Sequence, residues 1–71
     1  MNTKPALLDV VALLKNLPAE NLVIGNVGTV VEILDAQTYL VEFCNYKGET
    51  LSTSPVNTED LLLLHYDLMA A

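Results

Sequence analysis

The sequence predicts a small domain of short antiparallel β-strands, and three observations support that prediction. Gly25 and Gly28 open a β-branched apolar run that extends to Leu34, as expected for a tight turn that feeds a central strand. The residues of 39–44 divide between two faces at the period of a strand. The segment 45–48 ends in Gly48 and has the composition of a hairpin turn. Strands therefore occupy the middle of the chain.

The composition limits the size of the domain and the sites it can hold. At 71 residues the chain forms one domain, with a core over about residues 7–66 and frayed tails. The only cysteine, Cys44, and the only histidine, His65, supply neither a disulfide nor the four ligands of a structural zinc site, so we expect no cofactor or metal. A free thiol without a signal-peptide pattern predicts a cytoplasmic protein. No apolar run approaches the roughly 20 residues of a membrane span.

The charge balance predicts the class of partner. The net charge is −6, with three lysines and no arginine. Nucleic-acid binding and binding to anionic membranes both depend on lysine and arginine, so we expect neither. An acidic surface attracts basic partners and repels acidic ones. The sequence therefore favours one basic protein partner.

The first apolar segment, residues 7–17, fits two structures. Its apolar residues at helical spacing are Leu7, Val10, Val11, Leu14 and Leu17. The same run also suits a strand buried on both faces, and periodicity does not decide between them. Pro18 ends either element because it disfavours the helical conformation at Leu17. From the residues alone, helix and strand stay equally open.

The elements that follow are better defined. Residues 18–21 form a turn, and 22–24 form a short apolar anchor before the central strand at about 28–34. A polar connection of hairpin length leads to the strand 39–44, whose Val41 and Phe43 we place in the core.

The last third of the chain contains two weaker strands. Residues 49–54 have few apolar side chains and predict an edge strand, which Pro55 would terminate. A short helical turn is expected over 56–60, capped by Asn57 or Thr58. Residues 61–66 then predict a short closing strand.

The order of these motifs resembles a known family over about residues 7–65. An apolar segment ends in Leu17-Pro18, the glycine-bearing strand contains Gly28-Thr29-Val30-Val31-Glu32, and a second strand and an acidic turn follow. This order is similar to that of small bacterial proteins known only as a domain of unknown function. The resemblance implies an all-β, five-stranded SH3-like barrel, with a turn and strand similar to the KOW module and the nitrile hydratase β-subunit. It implies that residues 9–15 are the first strand, and it carries no catalytic residue. Family members are often encoded beside another small protein, which implies a pair such as toxin and antitoxin.

Three groups of residues could carry chemistry, but structural roles are favoured for each. Cys44 and His65 would form a nucleophilic dyad only if the last strand brought them together, and structural roles are favoured for both. Gly25 and Gly28 precede a strand and lack a nearby lysine, so a structural turn is favoured over a phosphate loop. The segment 57–60 has too few oxygen ligands for a calcium or magnesium site.

The remaining features predict a non-enzymatic protein-interaction module. Glu32, Glu42 and Glu49 are expected to form an acidic stripe on the outer face, with Tyr46 as an aromatic anchor on the hairpin. An antitoxin- or immunity-like role is slightly favoured over that of an accessory subunit. The alternative is a nucleic-acid- or ribosome-associated barrel, suggested by the KOW-like turn alone. The expected edge strand also leaves a homo-oligomer open.

Overall fold

The computed structural model describes residues 4–64, which form one five-stranded antiparallel sheet. The strands are β1 (Val10–Leu13), β2 (Val27–Asp35), β3 (Thr38–Cys44), β4 (Thr50–Asn57) and β5 (Leu61–Leu63), in the spatial order β4-β3-β2-β1-β5. One turn of 3₁₀ helix, Thr58–Asp60, directly precedes β5. The all-β class, the five strands and the short helical turn before the last strand are confirmed. Segment 7–17, which periodicity left open, contains a strand.

The core lies on the inner face of the sheet, as the alternation in β3 predicts. Tyr39, Val41 and Phe43 are buried, while the residues between them are only partly covered. Val41 lies opposite Val30 of β2, which joins the two central strands through an apolar pair. The buried apolar residues are Val11, Leu13, Leu22, Val30, Tyr39, Val41, Phe43, Val56 and Leu61.

Gly25 and Gly28 have different roles at the start of the central strand. Gly25 has a φ of +93°, in the left-handed region that favours glycine, so it makes the turn. Gly28 lies within β2, where a Cβ atom would come 2.6 Å from the carbonyl oxygen of Glu42. Gly28 is therefore required for the close approach of β2 and β3.

The edge strand β4 is longer than the sequence predicts. The sequence predicts it over 49–54 with Pro55 as its end, but it begins at Thr50 and continues through Pro55 to Asn57. Pro55 lies opposite Leu40 inside the ladder. An edge strand tolerates proline where the missing N–H would face away from its neighbour, so Pro55 removes a donor from the open edge without ending the strand. The predicted edge position is correct.

The connection between β1 and β2 is anchored at two points. Leu22 is 1% exposed, whereas Val23 and Ile24 are exposed, so only the first residue of the predicted apolar anchor is buried. Glu20, in the 3₁₀ helix Pro18–Glu20, accepts a hydrogen bond from the buried Ser54 hydroxyl of β4 at 3.1 Å. The connection thereby crosses the sheet to the edge strand.

Both ends of the described chain differ from expectation. Residues 4–6, expected in a frayed tail, lie against the β2–β3 hairpin: Pro5 is buried, and its carbonyl oxygen accepts a 2.8 Å hydrogen bond from the Tyr39 hydroxyl. The closing strand ends at Leu63, and the rest of its predicted span, His65 and Tyr66, lies outside the described residues. Within residues 4–64 no helix is long and apolar enough to cross a membrane.

Candidate protein-interaction surface

Glu32 and Glu42 share the outer face of the sheet. Glu42 lies on β3 between Thr29 of β2 and Thr53 of β4, and Glu32 lies opposite Leu40, two residues before Glu42 on the same face. Glu42 is half-buried and accepts a hydrogen bond from the Thr50 hydroxyl at 2.7 Å, which fixes the direction of its carboxylate. Glu32 is exposed. The structure therefore brings these two predicted site residues together.

Glu49 lies in the β3–β4 turn and not at the start of a strand as expected. The Asn45 side chain accepts hydrogen bonds from the backbone N–H groups of Lys47 and Glu49, and it donates one to the Glu49 carboxylate. Gly48 completes the turn with a φ of +83°. These bonds hold the turn in one conformation. Glu49 lies opposite Asn45, the residue that follows β3, so it is near the same end of the strand as Glu42.

Tyr46 stands on this rigid turn with 93% of its surface exposed. The Lys47 ammonium lies 5.9 Å from the centroid of its ring, within range of a cation–π contact. A large aromatic side chain on a pre-ordered turn loses little entropy when a partner covers it. The geometry suits the anchor role predicted for Tyr46.

The acidic side chains of the outer face are not neutralised from within the described chain. Across residues 4–64 the only salt bridge joins Lys15 and Asp60, at 3.3 Å. Lys4 donates to the carbonyl oxygen of Ala36, and Lys47 lies over Tyr46. The negative charge of the outer face is therefore available to an external cation.

Residues 7–63 match the family described as Domain of unknown function (DUF4926). The chain belongs to the DUF4926 family. The match covers the whole sheet from before β1 to the last residue of β5. No curated protein and no solved structure matches the chain. Membership confirms the predicted domain of unknown function and assigns no activity to it.

The predicted chemical alternatives concern Cys44 with His65, a metal site, and the two glycines before and within β2. Cys44 is a half-buried residue at the end of β3, and its predicted partner His65 lies outside the described residues. Between Lys4 and Leu64, no group of three His, Cys, Asp or Glu side chains is placed to hold a metal ion. Gly25 and Gly28 lead into a strand and not into a helix, as predicted for a structural turn.

A shallow groove of about 520 Å³ runs beside the Tyr46 turn. Val27, Cys44 and Leu51 form its apolar part, and Tyr46 forms one wall. Val27 and Cys44 are paired across β2 and β3, so the floor of the groove is part of the sheet. The groove gives the Tyr46 end of the DUF4926 domain an exposed surface that is partly apolar.

A second group of exposed apolar residues lies beside β2, at a place that no sequence pattern indicates. Leu7 and Leu8 are 52% and 69% exposed, and the Leu8 N–H donates to the Val30 carbonyl at 2.7 Å. Next to Val30, three further apolar side chains of β2 are exposed: Val31, Ile33 and Leu34. The sequence places Leu7 on the apolar face of the helical alternative and gives no exposed cluster at residues 7 and 8, so their exposure is not predicted.

Proposed function

We propose that this DUF4926 domain is a non-enzymatic interaction module, built on an SH3-like barrel, that binds one basic protein partner. The main support is the outer face on which Glu32 and Glu42 lie together without a lysine counter-ion among the described residues. Opposite charges across an interface steer the encounter and select the partner. The rigid, exposed Tyr46 supplies an apolar anchor beside that charge.

The mechanism is occlusion of a surface on the partner. The acidic face attracts the partner, and Tyr46 with the neighbouring groove fixes its position. Because binding covers a complementary surface and needs no chemistry, the role is antitoxin- or immunity-like in preference to that of an accessory subunit. The hydrogen-bonded turn at Asn45 favours tight binding, because a turn that is already ordered loses little conformational entropy on association.

The charge prediction is tested by comparing single charge reversals at two positions on the surface. The partner is first captured from lysate of the source organism at moderate salt and identified by mass spectrometry. Glu32→Lys is expected to weaken its affinity at least about tenfold, because like charges across an interface are costly. Glu59→Lys changes the net charge equally but lies in the exposed 3₁₀ turn, and it should leave the affinity nearly unchanged.

Two results would contradict the proposal. Equal effects of the two reversals would show that overall charge, and not the acidic face, governs binding. RNA capture that is salt-sensitive in a polarisation assay, without a stoichiometric protein, would favour the nucleic-acid alternative.

The anchor prediction concerns Tyr46→Ala. Because the side chain is 93% exposed, we expect a change in the free energy of unfolding within about 0.5 kcal/mol. Affinity for the captured partner should fall about 30-fold or more, as for a buried aromatic hot spot. Tyr46→Phe keeps the ring and should retain most of the affinity. Calorimetry of the three proteins checks this, and wild-type affinity in Tyr46→Ala would remove Tyr46 from the interface.

A further inference from the structure

Leu8 has a backbone conformation that leucine rarely adopts. Its φ is +70°, in the left-handed region where a Cβ atom meets the following carbonyl oxygen. It is the third residue of a turn closed by a 3.0 Å hydrogen bond from the Asp9 N–H to the Ala6 carbonyl, a position that favours glycine. The Asp9 carboxylate also accepts from the Ala6 N–H at 2.8 Å.

No burial compensates for this strain, since the Leu8 side chain is 69% exposed. Fold stability would favour glycine at such a position, and a bulky apolar residue contributes little there to the core. Residues kept in costly backbone conformations cluster at binding sites. The exposed leucine at the apex of the turn is therefore best explained by contact with another molecule.

The opposing strand presents apolar side chains at the same place. Strand β2 shifts register against β3 between Val30 and Glu32 and again between Ile33 and Asp35, which leaves Val31 and Leu34 as extra residues. Bulges of this kind re-aim side chains. The leucine-turn patch is defined here as the exposed apolar residues Leu7, Leu8, Val31, Ile33 and Leu34.

Two carboxylates and one lysine lie beside the leucine-turn patch. Asp9 follows Leu8 and Asp35 follows Leu34, and Lys4 donates to the carbonyl oxygen of Ala36, the residue after Asp35. The carboxylates of Asp9 and Asp35 are held by the backbone N–H groups of Ala6 and Gln37. Two held carboxylates beside an apolar cluster are complementary to apolar side chains flanked by lysine or arginine.

We propose that the leucine-turn patch binds a basic amphipathic helix of the partner protein. This inference rests on the proposed function and names the surface that the partner's apolar side chains cover. A helix presents apolar side chains at i, i+3, i+4 and i+7 in a stripe with basic residues on either side, which matches an apolar patch with carboxylates beside it. Glu32 points to the opposite side of β2 from Ile33, so the leucine-turn patch is a second surface, separate from the acidic face. Addition of a strand at the β4 edge is less suited, because Pro55 removes a donor there.

The test uses three synthetic helical peptides of about 18 residues, or about five turns. The first places leucine on one face and lysine on the other, the second replaces lysine with glutamate, and the third replaces leucine with alanine. Each is titrated into the ¹⁵N-labelled full-length chain and followed by NMR. The leucine–lysine peptide should shift amide signals at 7–9 and 31–35, and the other two peptides should bind at least about tenfold more weakly.

Leu8→Gly separates binding from folding. Glycine fits a φ of +70°, so its melting temperature should equal or exceed that of the wild type, while the peptide affinity falls about tenfold. Leu7→Ser, which leaves the strained residue in place, should weaken binding similarly. Val23→Ser removes an apolar side chain of like exposure (55%) from the β1–β2 connection and should bind as the wild type does.

Several outcomes would overturn the inference. For the peptides, these are binding of the alanine–lysine peptide as tight as that of the leucine–lysine peptide, and signal shifts confined to the Tyr46 turn. For Leu8→Gly, they are an affinity equal to that of the wild type, and a fall in melting temperature that accompanies the loss of binding. Shifts at the Tyr46 turn would leave the proposed basic partner in place and remove only this surface. Failure of both lysine peptides to bind would instead count against the proposed function as well.

Discussion

Replacing Leu22 with alanine is expected to lower the free energy of unfolding by about 3 kcal/mol, in the range found for buried leucines. Leu22 is 1% exposed and belongs to the same core as the strands, although it lies in the connection between β1 and β2. Removing its side chain loses the apolar contact and leaves a cavity that the surrounding sheet cannot fully close. Urea denaturation followed by circular dichroism measures the change.

The adjacent residue provides a matched control for Leu22→Ala. Val23 is apolar, occupies the same connection and is 55% exposed. Val23→Ala should therefore change the free energy of unfolding by less than about 0.5 kcal/mol. If the two substitutions had equal effects, the connection would not contribute to the core, and the hydrogen bond from Ser54 to Glu20 would be its main attachment.

The central strands were predictable because their sequence and burial share one period. In β3, Tyr39, Val41 and Phe43 alternate with less buried residues, so a local pattern sufficed. Strand β1 was not predictable in this way, because nearly every residue of 7–14 is apolar. It is a strand because it pairs with β2 on one side and β5 on the other, partners that come much later in the chain.

The face on which Glu32 lies does not follow from the simple alternation of side chains along a strand. Val30 points inward, so strict alternation would also turn Glu32 inward. The register shift between Val30 and Glu32 places Glu32 opposite Leu40 on the outer face instead. The predicted placement of Glu32 and Glu42 on one face is correct because of a bulge in β2, and no local sequence pattern indicates that bulge. The position of Glu49 differs from expectation for a similar reason, since Asn45 holds it in the turn.

The leucine-turn patch depends on features that the sequence does not encode locally. A positive φ at Leu8 contradicts the preference of leucine, and it is stabilised by a hydrogen bond to Val30, far along the chain. Local propensity describes what a residue favours, so it fails where the fold imposes the opposite. Such conflicts concentrate at functional sites, which is why this one supports a binding role.

Gly28→Ala is expected to destabilise the domain by about 3 kcal/mol, at the upper end of the usual cost of overpacking. The added Cβ would lie 2.6 Å from the Glu42 carbonyl oxygen, 2.8 Å from Val41 Cγ1 and 3.0 Å from Phe43 Cδ1. A side chain can rotate away, but the carbonyl is part of the backbone of β3, which is paired on both sides, so it moves only if the strands shift. Phe43 is fully buried, so its ring has no free space to enter.

Thr29→Ala is the matched control for Gly28→Ala. Thr29 is the next residue of the same strand, points to the outer face beside Glu42 and is only partly buried, so its loss should cost less than about 1 kcal/mol. Equal midpoints in urea for the two variants would mean that β2 and β3 tolerate separation at this point. A large difference would instead show that the approach at Gly28 holds β2 against Phe43, and with it the bulged half of β2 that carries Glu32 and three residues of the leucine-turn patch.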